Sequence, residues 1–198
     1  ETDDWTGTTG INVTGTADLA PLADQAAMIK ELCPDASKVG ILYCSAEANS
    51  KYQSDVITEE LEGLGYEVAE YTVADTNQIA DVTTKAVGEV DVIYIPTDNT
   101  IASATAAVKE IVEPAKIPVI AGEEGICSGC GVATLSISYY DIGYQAGQMA
   151  AQILTEGADP AEMEIAYATD LTKKYIKDRA DALGITIPDD YEAIEAAE

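Results

Sequence analysis

The stretch VDVIYIPTDNTIAS, residues 90–103, sets an apolar and aromatic run against Pro96 and follows it with Thr97, Asp98, Asn99 and Thr100. A short run with no polar alternation reads as a strand buried on both faces, the pattern of a parallel sheet covered by helices. The small polar cluster at its end has two readings. These residue types dominate helix N-cap positions, so they could simply start the next helix. They could also hold a ligand.

Working outward, the same rhythm repeats. Downstream, ASATAAVKEIVEPAK (102–116) predicts one helix and IPVIAG (117–122) a further strand. Upstream, LADQAAMIKELC has apolar residues at helical spacing until Pro34 stops it, and KVGILYC (38–44) is another apolar strand. SAEANS is a loop into a helix over 51–64 ended by Gly65; YEVAEYTV alternates as a strand does, and NQIADVTTKAV is helical. Such strand–helix units imply an α/β fold with a parallel sheet and right-handed crossovers. Loops leaving the strands then gather at one sheet edge, outside which open α/β folds bind ligands. Three loops qualify: 45–50, 97–100 and 122–125.

After Gly131 the rhythm changes. VATLSIS predicts a strand. YYDIGYQAGQMAAQILTEG predicts a long helix with Ile142, Ala146, Met149, Ala150 and Ile153 on one face, MEIAYA a strand, and TKKYIKDRADALGI a helix ended by Gly184. Glu1 to Gly15, rich in Thr and Gly, resembles a linker, and the tail YEAIEAAE a solvated helix or frayed end.

Composition narrows the function. The 198 residues are 47% hydrophobic, enough for a real core, and no apolar run approaches the ~20 residues of a membrane span. With 36 acidic and 10 basic residues the net charge is −26, which repels nucleic acid and anionic headgroups. There is no His, so Ser-His-Asp and Cys-His catalysis and His-ligated zinc are excluded. No Gly-rich phosphate loop and no G-x-S-x-G elbow is present, so no cofactor and no enzymatic activity is expected. The C-x-x-C pair Cys127 and Cys130 is flanked by glycines, which reads as a turn bearing a local disulfide or two plain thiols. Cys33 and Cys44 read as helix-end and strand-end residues.

The strings INVTGTADLAPLADQAAMIKEL, GILYCSAEANS, VDVIYIPTDNTIASA, IPVIAGEEG, SISYYDIGYQAGQMAAQIL and DALGITIP resemble ABC-transporter solute-binding proteins, in the group linked to tryptophan and other aromatic amino acids. The resemblance covers nearly the whole chain in order. It implies a Rossmann-like lobe of a type I periplasmic-binding-protein-like fold, a small-molecule solute (an amino acid, of aromatic type) held in an interlobe cleft, and delivery to an ABC permease in the membrane. An extracytoplasmic location follows, as a cell-surface lipoprotein or in the periplasm, with the signal segment outside this sequence. The alternative is a ligand-sensing module of a regulator or chemoreceptor with the same fold; no basic helix-turn-helix accompanies it.

Most of the family's first lobe has no counterpart, so the chain is expected to be a fragment. Residues 1–19 would be interlobe linker, 20–138 the second lobe, 139–160 a helix returning to the first lobe, and 161–198 a strand and helix completing the second. With its partner lobe gone, the apolar stripe of the 139–155 helix would stand in water and drive a homodimer. Expected ligand-binding residues are Glu47, Asn49, Ser50, Thr97, Asp98, Asn99, Glu123 and Glu124. Helix N-termini at EANSK and DNTIA suit a carboxylate, and Asp98, Glu123 or Glu124 suits an ammonium group. Catalytic use of the GEEG pair is not expected, because neighbouring strand residues point to opposite sides. Tyr139 and Tyr140 are expected to pack rather than stack on ligand. In the oxidising exterior, Cys127 and Cys130 are expected to form a disulfide.

Overall fold

The computed structural model describes residues 7–19, 21–168 and 170–194. The chain divides into two compact units, one of Glu1–Leu19 with Ile137–Leu171, the other of Ala20–Ser136 with Thr172–Glu198. Residues 1–6 of the expected linker and 195–198 of the tail lie outside the described residues.

In the first unit, strand β1 (Thr16–Ala17) is the first element. The larger unit then supplies α1 (Leu22–Leu32), β2 (Lys38–Cys44), α2 (Ala48–Gly63), β3 (Glu67–Val73), α3 (Ile79–Val87), β4 (Val92–Ile95), α4 (Asn99–Ala102), α5 (Thr105–Ala115), β5 (Val119–Ala121), α6 (Glu124–Cys130) and β6 (Ala133–Ile137). The chain continues with α7 (Tyr139–Ala151), β7 (Ala166–Tyr167), β8 (Leu171–Tyr175), α8 (Lys177–Leu183) and β9 (Glu192–Ala193).

The larger unit is built on a seven-stranded sheet in the order β3-β2-β4-β5-β6-β8-β9. From β3 to β6 the pairings are parallel. Period-two alternation shows how both faces are covered. Leu42, Cys44, Ile93 and Ile95 join the cluster packed by α3, α5 and α6. Ile41, Tyr43, Val92 and Tyr94 are equally buried but lie outside that cluster, on the face that α1 and α2 cover with Ala26, Ile29, Ile57 and Leu61. Each such Ile or Leu contributes about 1.5–3 kcal/mol.

Helix α2 buries Ile57 and Leu61 in its lower half, but in its upper half the same stripe is polar: Ser50, Gln53 and Ser54 are buried. That switch marks where the helix leaves the core and meets the loops.

The sheet departs from the expected pattern near its far edge. Leu171–Tyr175 is a strand, where the sequence predicts the start of a helix. The bond from Ile176 N to Val132 O, 2.9 Å, sets the end of β8 beside the start of β6, so β8 runs against its neighbour. Residues 192–193 form an edge strand rather than a helix. The single helix expected over 102–116 begins earlier and breaks at Ser103–Ala104 into α4 and α5.

In the smaller unit, β1 pairs in parallel with β7, and Thr8 bridges Glu164. The strand in MEIAYA therefore belongs here, not to the larger unit. Ser138 caps α7 by accepting from Asp141 N at 3.2 Å, and Gly157, at φ 73°, follows a π-helical turn. The stripe expected to face water is partly covered: Ile142 is buried, Ala146, Met149 and Ile153 are half-buried, and Ala150 is exposed. The exposed apolar residues are instead Tyr140, Tyr144 and Leu154 on other faces, and Tyr139 is half exposed. The fully exposed stripe expected to drive a homodimer is not present, and Tyr140 does not pack as expected.

Candidate functional site

The path of the chain through the sheet locates the site. From β2 the chain moves through α2 to β3; through α3 it then passes back across β2 to β4. The reversal falls between β2 and β4, the switch point outside which α/β sheets bind ligands. The loops after β2 and β4 flank it, and the loop after β5 is next along the same edge.

Hydrogen bonds zip the first two loops together. The Glu47 carboxylate accepts from Asn99 N (3.0 Å), Asn99 Nδ2 (3.1 Å), Thr100 N (2.8 Å) and Thr100 Oγ1 (2.6 Å). It thereby caps α4 from a different loop. Burial pushes the Glu47 carboxyl up, but the bonds from Thr100 and Asn99 outweigh it and hold it below its usual range. Asp98 is 1% exposed and accepts from Ile101 N (2.8 Å) and Cys44 N (2.7 Å), joining its own helix cap to the end of β2. The Thr97 carbonyl accepts from Asn49 Nδ2 (3.0 Å), Gln53 Nε2 (3.2 Å) and Ser50 Oγ (3.5 Å). Gln53 Oε1 in turn accepts from Thr97 N at 3.1 Å.

The third loop is held as closely. Gly122 N donates to Ile95 O at 2.7 Å. A Cβ on Gly122 would lie 2.7 Å from Thr97 N and 2.8 Å from Pro96 C, so only glycine allows the β4 and β5 loops to meet. From below, Gln25 Nε2 donates to Gly122 O (3.1 Å), and the fully buried Tyr94 hydroxyl donates to Gln25 Oε1. Glu123 caps α6 by accepting from Gly125 N (2.6 Å) and Ile126 N. Glu124 is drawn to Ser136 Oγ (2.8 Å) and Lys174 Nζ (2.7 Å). Burial raises its carboxyl, and Lys174 and Ser136 more than reverse that.

All eight expected binding residues thus stand at one edge, but in unequal positions. Ser50 and Asp98 are buried beneath it. Glu47, Thr97, Glu123 and Glu124 are half-buried, and Asn49 and Asn99 exposed. The GEEG pair opens a helix and does not lie on a strand. What remains for a ligand is Asn49 Oδ1, the Thr97 hydroxyl and the first turn of α2, which no side chain caps. An uncapped helix start favours a carboxylate. Among the described residues no three His, Cys, Asp or Glu side chains gather as metal ligands.

Gln25, Gln53 and Tyr94 escape the sequence reading, which names Gly122 only as the start of a loop. Their signal is a polar residue on a buried stripe: Gln25 sits between Leu22 and Ile29 on the covered face of α1, as Gln53 does between Ser50 and Ile57 on α2. Cys127 and Cys130 are a correction: both are free thiols on α6, not a bridged turn. Both are buried, Cys130 Sγ turns to Ile126 O at 3.5 Å, and burial pushes its thiol up to about 12. Cys33 and Cys44 do end α1 and β2 as expected.

This architecture is that of a type I periplasmic-binding-protein-like α/β fold. The sequence model of the ABC transporter substrate binding protein family matches residues 2–197, and the chain belongs to that family. It is 35% identical over 156 residues to a tyrosine-binding protein of Clostridioides difficile (strain R20291), covering 79% of this chain and 45% of that protein. This chain therefore spans less than half the length of that relative. Among solved structures it resembles an ABC domain in complex with L-Trp from Streptococcus pneumoniae, with TM-score 0.87 and 34% identity over 96% of this chain and 67% of that one. It also resembles the ligand-free, open structure of a substrate binding protein with adhesive properties from Clostridium difficile, with TM-score 0.78 and 32% identity over 97% and 65% of the two chains.

Proposed function

We propose that this chain supplies one wall of the ligand cleft of an extracytoplasmic ABC importer component, and that its solute is an aromatic amino acid passed to a membrane permease. The observation that carries the reading is the zipped loop edge at the switch point. A polar, rigid rim is joined there to an uncapped helix start suited to a carboxylate. The named ligands of two relatives, tyrosine and L-Trp, give the side-chain class. In this reading Asn49 and Thr97 contact the solute directly, while Glu123 and Glu124, engaged by the α6 donors and by Ser136 and Lys174, shape the rim. Glu47 and Asn99 set the rim, while Ser50 and Asp98 hold it from beneath. The chain is read as a fragment of a longer two-lobed protein.

Titration calorimetry of the full-length protein with L-tyrosine, L-tryptophan, L-alanine and glucose tests this. The two aromatic amino acids should bind at least about tenfold more tightly than alanine, a difference of about 1.4 kcal/mol, and glucose not at all. Equal affinity for alanine, or binding of glucose alone, overturns it.

A further inference from the structure

The opposite edge of the same sheet carries a cavity that the loop edge does not explain. It measures about 290 Å³ and lies where the ends of α5 and α6 meet α8, under the starts of β5 and β6. Its floor is Val112, Val119, Cys130 and Val132, each no more than 2% exposed, and Leu183 forms a wall. That volume is at the lower end of small-molecule sites.

Lys116 stands on the rim, and two independent observations single it out. The first is conformational. Lys116 ends α5 at φ 56°, and it is the one non-glycine among the described residues with positive φ. Where α2, the π-helical turn and α8 end in this conformation, the chain uses Gly65, Gly157 and Gly184. A side chain there costs roughly 1 kcal/mol against glycine. The second is electrostatic. Every other described lysine, and Arg179, has an acidic partner or an aromatic ring. Lys116 has neither, in a chain of net charge −26. The neighbouring Glu113 is engaged by Arg179 (3.2 Å) and Lys109 (3.8 Å). Asp178, the other acid of the lining, is exposed on α8.

An apolar floor beside an unpaired cation suits one ligand chemistry. We infer that this cavity is a second binding site, for a small amphipathic monocarboxylate whose apolar body lies on Val112, Val119 and Val132 and whose carboxylate meets Lys116. It is separate from the loop edge and does not rest on the amino acid reading.

The test is an amide-shift titration of the isotope-labelled protein with hexanoate, using 1-hexanol of the same chain length as the uncharged control. Hexanoate should give saturable shifts at Cys130, Val132 and Leu183, and hexanol should bind there about tenfold more weakly, the loss expected for one charge-assisted bond. Lys116→Gly relieves the backbone, so it folds at least as well, and it should make the two probes equal. Equal binding of the two by the unsubstituted protein, an unchanged preference in Lys116→Gly, or shifts confined to the loop edge or absent each overturns the inference.

Discussion

The two edges of the seven-stranded sheet spend their polar groups in opposite ways. At the loop edge the carboxylates of Glu47, Asp98 and Glu123 meet backbone N–H donors, and the carbonyls of Thr97 and Gly122 meet buried side chains. At the other edge a lysine stands unpaired in a backbone conformation that glycine would adopt more cheaply. The contrast teaches that a dense hydrogen-bond network is a sign of positioning. The residues left over, not those within the network, are the ones free to bind.

The largest break in this contrast should come from Asp98→Ala. It strands two buried donors, Cys44 N and Ile101 N, at about 1–3 kcal/mol each. Urea unfolding should show a loss of about 2–6 kcal/mol; a loss within experimental error would show that Asp98 does not hold the two donors.

Gly122→Ala should follow, because its Cβ meets backbone atoms of Pro96 and Thr97 that cannot rotate away. A cost of about 1–3 kcal/mol is expected, together with weaker binding of L-tyrosine measured by calorimetry. Hexanoate binding at the other edge should be unchanged.

Acid should weaken the loop edge more gently. Glu47 and Glu124 both lie below their usual value of 4.5 in the folded chain. Their contribution to stability is therefore complete above that value and lost as pH falls through the lowered folded pKa values. Unfolding free energy followed below pH 4.5 should decline, and Glu47→Gln should flatten part of the decline. An unaltered pH profile in that variant would show that Glu47 is not held by the α4 donors.

The smallest effect should have the opposite sign. Lys116→Gly relieves the left-handed residue and should raise stability by about 0.5–1 kcal/mol, read as a higher Tm. A lower Tm would mean that the lysine side chain holds the helix end.

Much of this fold is legible where burial alone decides. Val39–Cys44 and Val92–Ile95 are buried residue after residue because both faces of their strands are covered. The misread segments are those where a long-range partner decides. LTKKY carries two adjacent lysines and runs straight into a helical pattern, yet sheet pairing and the Lys174 bond to Glu124 make it a strand. CSGC looks like a turn because of its glycines. Glu123 capping from outside and buried Ile126, Cys127 and Cys130 at helical spacing make it a helix. At the site, the residue types were legible and their roles were not. Whether an Asp beside a helix start binds a ligand or a distant strand N–H depends on register between β2 and β4, which no local pattern carries.

Amide-shift mapping with L-tyrosine on the full-length protein tests the central claim most directly. The account predicts shifts concentrated at residues 45–50, 97–100 and 122–125, strongest at the Asn49 and Thr97 amides, with Cys130, Val132 and Leu183 unmoved. Shifts at those last three residues, with the three loops silent, would contradict it.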